Sequence, residues 1–219
     1  MEDSSWDQCS LPVRMGGLGV RSASEVSLPA YLSSVSATFE CITPLLPTYL
    51  RNEVNPFFAQ ATFQWSNLLS GEDLPIKKSV QAAWDIPLCK KRFENLLQSA
   101  NTTEDKARLM AVSSEHASDW LNCVPLPSMS LKLNRQTLRI AVALRLGSRI
   151  CKPHKCHCKD KDTGQPGIVD NKGLHGLSCA SAGGKGRIAR HDRANDLIHR
   201  ALASANYHCV LEPTGLCRD

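Results

Sequence analysis

Between Cys151 and Cys179 the chain crowds metal-ligating residue types into one short stretch, reading Cys151-Lys152-Pro153-His154-Lys155-Cys156-His157-Cys158, a polar loop, then His175-Gly176-Leu177-Ser178-Cys179. A structural zinc ion takes four Cys or His ligands in a tetrahedron, commonly as two local pairs joined by a loop. Cys156-x-Cys158 and His175-x-x-x-Cys179 are two such pairs, the first tighter than the usual Cys-x-x-Cys. Cys151, His154 and His157 are further donors, able to replace a member or to bind a second ion. No nearby carboxylate stands out as a general base, so the spacing predicts a structural rather than a catalytic metal. The loop from Lys159 to Gly173 has little apolar surface. Burial alone would hardly fold it, and a metal would supply what is missing. The alternative is a set of incidental thiols and surface imidazoles.

The second chemical feature follows directly. Lys185, Arg187, Arg190 and Arg193 fall at the start of a helical stripe formed by Ala194, Leu197, Ile198, Ala201, Leu202 and Ala205. Phosphate could there meet both cationic side chains and free backbone N–H groups. Charge is distributed in the same sense. From residue 151 onward there are 11 Lys and Arg against 7 Asp and Glu, while the first 150 residues are nearly balanced and the whole chain carries +5. A polyanionic partner is expected for the basic third, RNA or DNA held mainly through phosphate; an ordinary solvated surface is the competing reading.

The remaining elements form the frame. The chain has 219 residues, 42% hydrophobic and 21% charged, a globular balance with length for one ordinary domain or two small ones. The start, MEDSSWDQ, is not that of a secretory signal, and no apolar run approaches the ~20 residues of a membrane-spanning helix. A soluble intracellular protein without a membrane partner is expected, whose ten cysteines are thiols or metal ligands. Oligomeric state is not legible.

Met15-Gly16-Gly17-Leu18-Gly19 is a sharp turn lacking the spacing of a phosphate loop. A helix is predicted from Ala23, with a kink or restart at Pro29 and an end at Pro44 and Pro47. The segment 55–69 is rich in aromatic and small residues, without an assigned element. A further helix is predicted to begin at Pro87, with Cys89, Phe93, Leu96, Leu97 and Ala100 on its buried face and Lys90, Lys91 and Arg92 solvated. The capping sequence Thr102-Thr103-Glu104-Asp105 opens a predicted long helix, with Ala107, Met110, Ala111, Ala117, Trp120 and Leu121 as its stripe. Residues 138–146 read as a buried helix, its arginines Arg139, Arg145 and Arg149 snorkelling or paired, closed by Gly147. Cys209-Val210-Leu211 reads as a short strand.

Taken together these motifs become recognisable. Residues 11–22, Leu-Pro-Val-Arg-Met-Gly-Gly-Leu-Gly-Val-Arg-Ser, with Pro29-Ala30-Tyr31-Leu32 behind them, resemble the stretch that follows the polymerase core in non-LTR retrotransposon reverse transcriptases. Trp120-Leu121-Asn122 and residues 138–147 are similar to the helical region downstream. His175-Gly176-Leu177-Ser178-Cys179 and the segment from Arg190-His191-Asp192 to Ala205 resemble the zinc knuckle and first helix of the restriction-like endonuclease of site-specific elements. The order is collinear over nearly the whole chain. Lys159 replaces the glycine expected after the second cysteine, and the loop to His175 is long.

The resemblance implies that Cys156, Cys158, His175 and Cys179 are the knuckle ligands and zinc the cofactor. It implies a mainly α fold: a helical body (1–150), a zinc-knuckle-like module (151–182), and an incomplete α/β endonuclease segment (183–219). Neither the acidic polymerase motif nor the Pro-Asp and lysine set of the nuclease is found, so no catalytic residue is carried over. The expected function is a nucleic-acid-binding fragment of a retrotransposon polyprotein, with the nucleus as its compartment. Alternatives are a polymerase and endonuclease active only at full length, or a host protein that kept the module for interaction.

Overall fold

The computed structural model describes residues 3–50, 56–71, 73–127, 131–159, 164–179 and 185–211. The chain divides into two compact units, Met1–Ser148 and Arg149–Asp219. The fold is mainly α. In the first unit lie α1 (Asp3–Ser10), α2 (Ala23–Ile42), α3 (Pro56–Leu68), α4 (Gln81–Ser99), α5 (Thr103–Ser113), α6 (Asp119–Asn122) and α7 (Arg135–Leu146). The second holds strands β1 (His154–Lys159) and β2 (Pro166–Val169) and helices α8 (His175–Ser178) and α9 (Lys185–Ser204). Among the described residues no helix is long and apolar enough to cross a membrane.

Two tryptophans organise the larger core of the first unit. Trp65 on α3 and Trp84 on α4 meet edge to face, with ring centroids 5.2 Å apart. Both are almost wholly buried, and each indole finds an acceptor: Trp65 Nε1 donates to the Trp84 carbonyl at 2.9 Å, Trp84 Nε1 to the Lys78 carbonyl at 2.7 Å. Leu32, Ala61, Leu69 and Leu88 complete this cluster. The other end of α4 joins a second one, in which Cys89 and Leu96 pack with Leu11 and Leu109. Helix α4 is therefore the shared wall of both.

The glycine-rich turn is held from inside. Gly16 lies at φ +86°. A Cβ at Gly17 would collide with the Leu11 carbonyl, so only glycine lets the turn fold back this closely. Arg145, only 4% exposed, inserts beneath it. Its Nη2 donates to the Val13 carbonyl at 2.6 Å and to Ser118 Oγ at 2.8 Å, and its Nε donates to the Gly17 carbonyl at 3.1 Å. Burial pushes its pKa down, yet a guanidinium stays charged because its ordinary value is so high. Gln8 and Arg108 extend the network: Gln8 Nε2 donates to the Gly16 and Arg145 carbonyls, and Arg108 Nη1 donates to Gln8 Oε1 and to the Arg145 carbonyl.

Several expectations need correction. Helix α2 runs through Pro29, which is fully buried, without restarting. Helix α4 begins at Gln81, six residues before Pro87. The packing of Trp84 holds those first turns, so the proline is tolerated inside the helix. Arg92 is half-buried in an ion pair with Glu25 at 2.9 Å, while Lys90 and Lys91 are exposed. The long helix after Thr102 is two helices. His116, at φ +64°, breaks it between α5 and α6, and Leu109 rather than the exposed Met110 is buried. Along α7 only Arg145 and Leu146 are buried; Leu138 and Ile140 are exposed, so the apolar run 138–146 is not buried all round. Gly147 does close it, in the left-handed region.

In the second unit β1 and β2 form one antiparallel hairpin, pairing His154 with Val169, Lys155 with Ile168, and Lys159 with Pro166 across an irregularity in β1. Cys209–Leu211 is not a strand. A strand needs a neighbour for its backbone N–H and C=O groups, and no other strand among the described residues pairs with it.

A candidate metal centre

Alternation along β1 aims its two cysteines. Residues two apart on a strand share a face. Cys156 and Cys158 turn inward, Cys158 buried, while Lys155, His157 and Lys159 are exposed. The other pair comes from α8, positioned by the turn that follows β2. The Asp170 carboxylate accepts from the Leu174 amide at 2.9 Å and, at the other oxygen, from the Lys172 amide at 3.3 Å. The Ile150 amide donates to the Asn171 carbonyl at 2.8 Å, and the Cys151 thiol donates to the Asp170 carbonyl at 3.2 Å. So braced, the turn delivers His175 at the start of α8 and Cys179 just after it, where the Cys179 amide donates to the His175 carbonyl at 2.8 Å.

The four side chains converge. Cys156 Sγ lies 3.8 Å from Cys179 Sγ, Cys158 Sγ lies 3.3 Å from His175 Nε2, and all four donor atoms lie within 4.8 Å of one another. A tetrahedral ion with Zn–S near 2.3 Å and Zn–N near 2.05 Å sets ligand atoms about 3.6–3.8 Å apart. The donor set can hold a metal ion, and its spacing and chemistry are compatible with zinc. Contact with Cys156, then burial, pushes the Cys158 thiol up, while the Gly167 backbone amide acts oppositely.

Cys151 is engaged by the turn, and His154 Nδ1 lies 2.8 Å from the Lys152 carbonyl. Neither belongs to the group of four, nor does the outward-facing His157.

Gly167 is the site residue that ligand counting misses. A Cβ there would stand 2.6 Å from Cys158 Sγ and 2.7 Å from His175 Cε1. The β2 backbone lies directly against two of the donors, and only a residue without a side chain permits it. Replacing Gly167 by Ala should therefore weaken metal retention by at least tenfold. Gly164→Ala, at φ +65° but with nothing within 4 Å, should cost only local backbone strain and leave retention unchanged. Competition with a chromogenic chelator measures both, and equal retention by all three proteins would refute the role given to Gly167.

Of the four basic residues, all lie on α9. Arg193 is exposed, while the side chains of Lys185, Arg187 and Arg190 lie outside the described residues. The same helix leaves Leu197 and Ile198 more than half exposed.

Comparison with protein-family models, with curated proteins and with solved structures finds no match for this chain.

Proposed function

We propose that this protein is a zinc-stabilised nucleic-acid-binding module, holding one zinc ion through Cys156, Cys158, His175 and Cys179 and contacting RNA or DNA mainly through phosphate. The convergence of three sulfurs and one imidazole nitrogen within 4.8 Å is the observation that carries the metal half of the reading. Three features support the nucleic-acid half. The positive excess sits beyond residue 150; Lys185, Arg187, Arg190 and Arg193 cluster at the start of α9; and the motifs resemble, in order, those of non-LTR retrotransposon proteins that handle RNA and DNA. The metal's role is structural. It fixes the hairpin and α8, and no catalytic residue is assigned.

Counterion release should make binding steeply salt-dependent, with dissociation constants on the order of 10⁻⁴ to 10⁻⁶ M at physiological salt. Changing Arg190 and Arg193 together to Ala should lower affinity and salt slope, whereas changing Lys90 and Lys91, exposed on α4, should alter neither. Fluorescence anisotropy over a salt series tests this, and equal losses from the two double variants would leave only net charge as the cause. Primer extension and DNA cleavage with Mg²⁺ or Mn²⁺ should stay at background. An activity abolished by replacing one carboxylate of this chain would instead favour the polymerase and endonuclease reading.

A further inference from the structure

The metal site has an outer face of its own. With Cys156 and Cys158 turned toward the donor group, β1 presents Lys155, His157 and Lys159 on the opposite side, all exposed. Lys155 and Lys159 pair with Ile168 and Pro166, two residues apart on β2, so they stand roughly 6–7 Å apart along the hairpin with His157 in the irregularity between them. Across the hairpin Lys155 is paired with Ile168, whose side chain is 74% exposed. Among the described residues no carboxylate is ion-paired with Lys155 or Lys159. Between residues 149 and 179 the sequence carries six Lys and Arg against three Asp, so the stretch is cationic, and it stays so when a zinc ion and three thiolates together subtract one charge.

We infer that this outer face binds single-stranded nucleic acid, with Lys155 and Lys159 on two backbone phosphates and the His157 ring stacked on an unpaired base between them. The inference rests on the nucleic-acid reading above and adds a contact surface on β1 to the one on α9. The occupant follows from charge complementarity and from the alternation itself. Two ammonium groups flanking one flat ring match a chain that alternates phosphate and base, and a base is free to stack on a side chain only where it is not stacked in a duplex. Ile168 gives the sugar an apolar neighbour beside Lys155. An acidic peptide would satisfy the lysines but leave the ring and Ile168 without a complement. The metal holds the ridge rigid, because the inward cysteines fix which residues point outward.

The test uses the full zinc-loaded chain, fluorescein-labelled 12-nucleotide oligo(dT), the matching duplex and a sodium chloride series. Lys155→Gln with Lys159→Gln should weaken oligo(dT) binding roughly tenfold and flatten the slope of log K against log salt by about 1.4, the share of two single-strand phosphates. His157→Ala should weaken oligo(dT) at least fivefold while leaving both the slope and duplex binding unchanged, and His157→Phe should restore the loss, because any ring can stack. Zinc content, measured on the same preparations, should stay at that of the parent; if the double lysine variant loses metal, the His157 pair decides. The inference is overturned if His157→Ala binds oligo(dT) as the parent does, if His157→Phe fails to restore binding, or if oligo-glutamate competes as well as oligo(dT). Those results together with an effect of Arg190→Ala and Arg193→Ala would leave the proposed function standing without this face. A parent chain that binds neither strand nor duplex would remove both.

Discussion

Removing the metal, or replacing His175 by Ala or Cys158 by Ser, should abolish ordered structure between residues 149 and 179 rather than shift its stability slightly. The reason is the scarcity of any other support. Cys158 and Val169 are the only apolar residues of this unit that are buried among those described, and Cys158 is itself a donor. A two-stranded hairpin of this length is not stable in water by itself. Structural zinc contributes on the order of 10–16 kcal/mol in small modules at neutral pH, more than such a segment has from all other sources. Amide exchange at β1 and β2 should therefore rise from protected to free on chelation and return on adding zinc. Trp6, Trp65, Trp84 and Trp120 all belong to the first unit, so an unchanged tryptophan emission would show that the loss is confined to the second. Protected β1 amides in a metal-free chain would sink the claim.

In the first unit the largest single effect should come from Trp84→Ala. The indole is wholly buried at the centre of a cluster that joins α2, α3 and α4, it meets Trp65 edge to face, and its Nε1 is satisfied by the Lys78 carbonyl. Truncating such a residue leaves a cavity and an unpaired carbonyl, and costs about 3–5 kcal/mol. A domain has only about 5–15 kcal/mol in total, so the variant should be close to unfolding. Trp84→Phe keeps most of the contact area, loses the hydrogen bond, and should cost less than half as much. Urea unfolding followed through the emission of the three remaining tryptophans separates the two. A loss under about 1 kcal/mol for Trp84→Ala would show that the cluster repacks around the gap.

The parts of this architecture legible in the sequence are those set by local chemistry. Thr102 caps α5 by accepting from the Asp105 amide, and Gly147 ends α7 in the left-handed conformation, both as their residue types dictate. The four donors were legible because soft ligands are rare and their pairing is local. What escaped depends on partners distant in sequence. Pro87 looks like a helix start until Trp84, three residues earlier, is known to pack on Trp65. Arg145 reads as snorkelling or paired on a buried helix, but its acceptors at Val13 and Gly17, more than a hundred residues away, cannot be named from the sequence. His116 carries no breaker signal of its own, and Gly167 is one glycine among 13, distinguished only by the sulfur and imidazole beside it. The Asp170-Asn171-Lys172-Gly173 turn could have been found, since Asp and Gly at those positions are strong turn formers.

The guanidinium of Arg145 also sets a timetable for biosynthesis. Its acceptors at Val13 and Gly17 precede it by 132 and 128 residues, so the glycine-rich turn emerges from the ribosome long before the side chain that braces it. At about 5–20 residues per second the gap is on the order of ten seconds, during which the Gly17 carbonyl lacks its guanidinium donor and the Val13 carbonyl has only the Gly16 amide and, later, the Ser118 hydroxyl. Closing so long a loop carries a large entropic cost, and non-local contacts of this kind slow folding. The first unit thus reaches its final form only once α7 has been made, and a nascent chain arrested before residue 145 would expose the turn to proteases and chaperones.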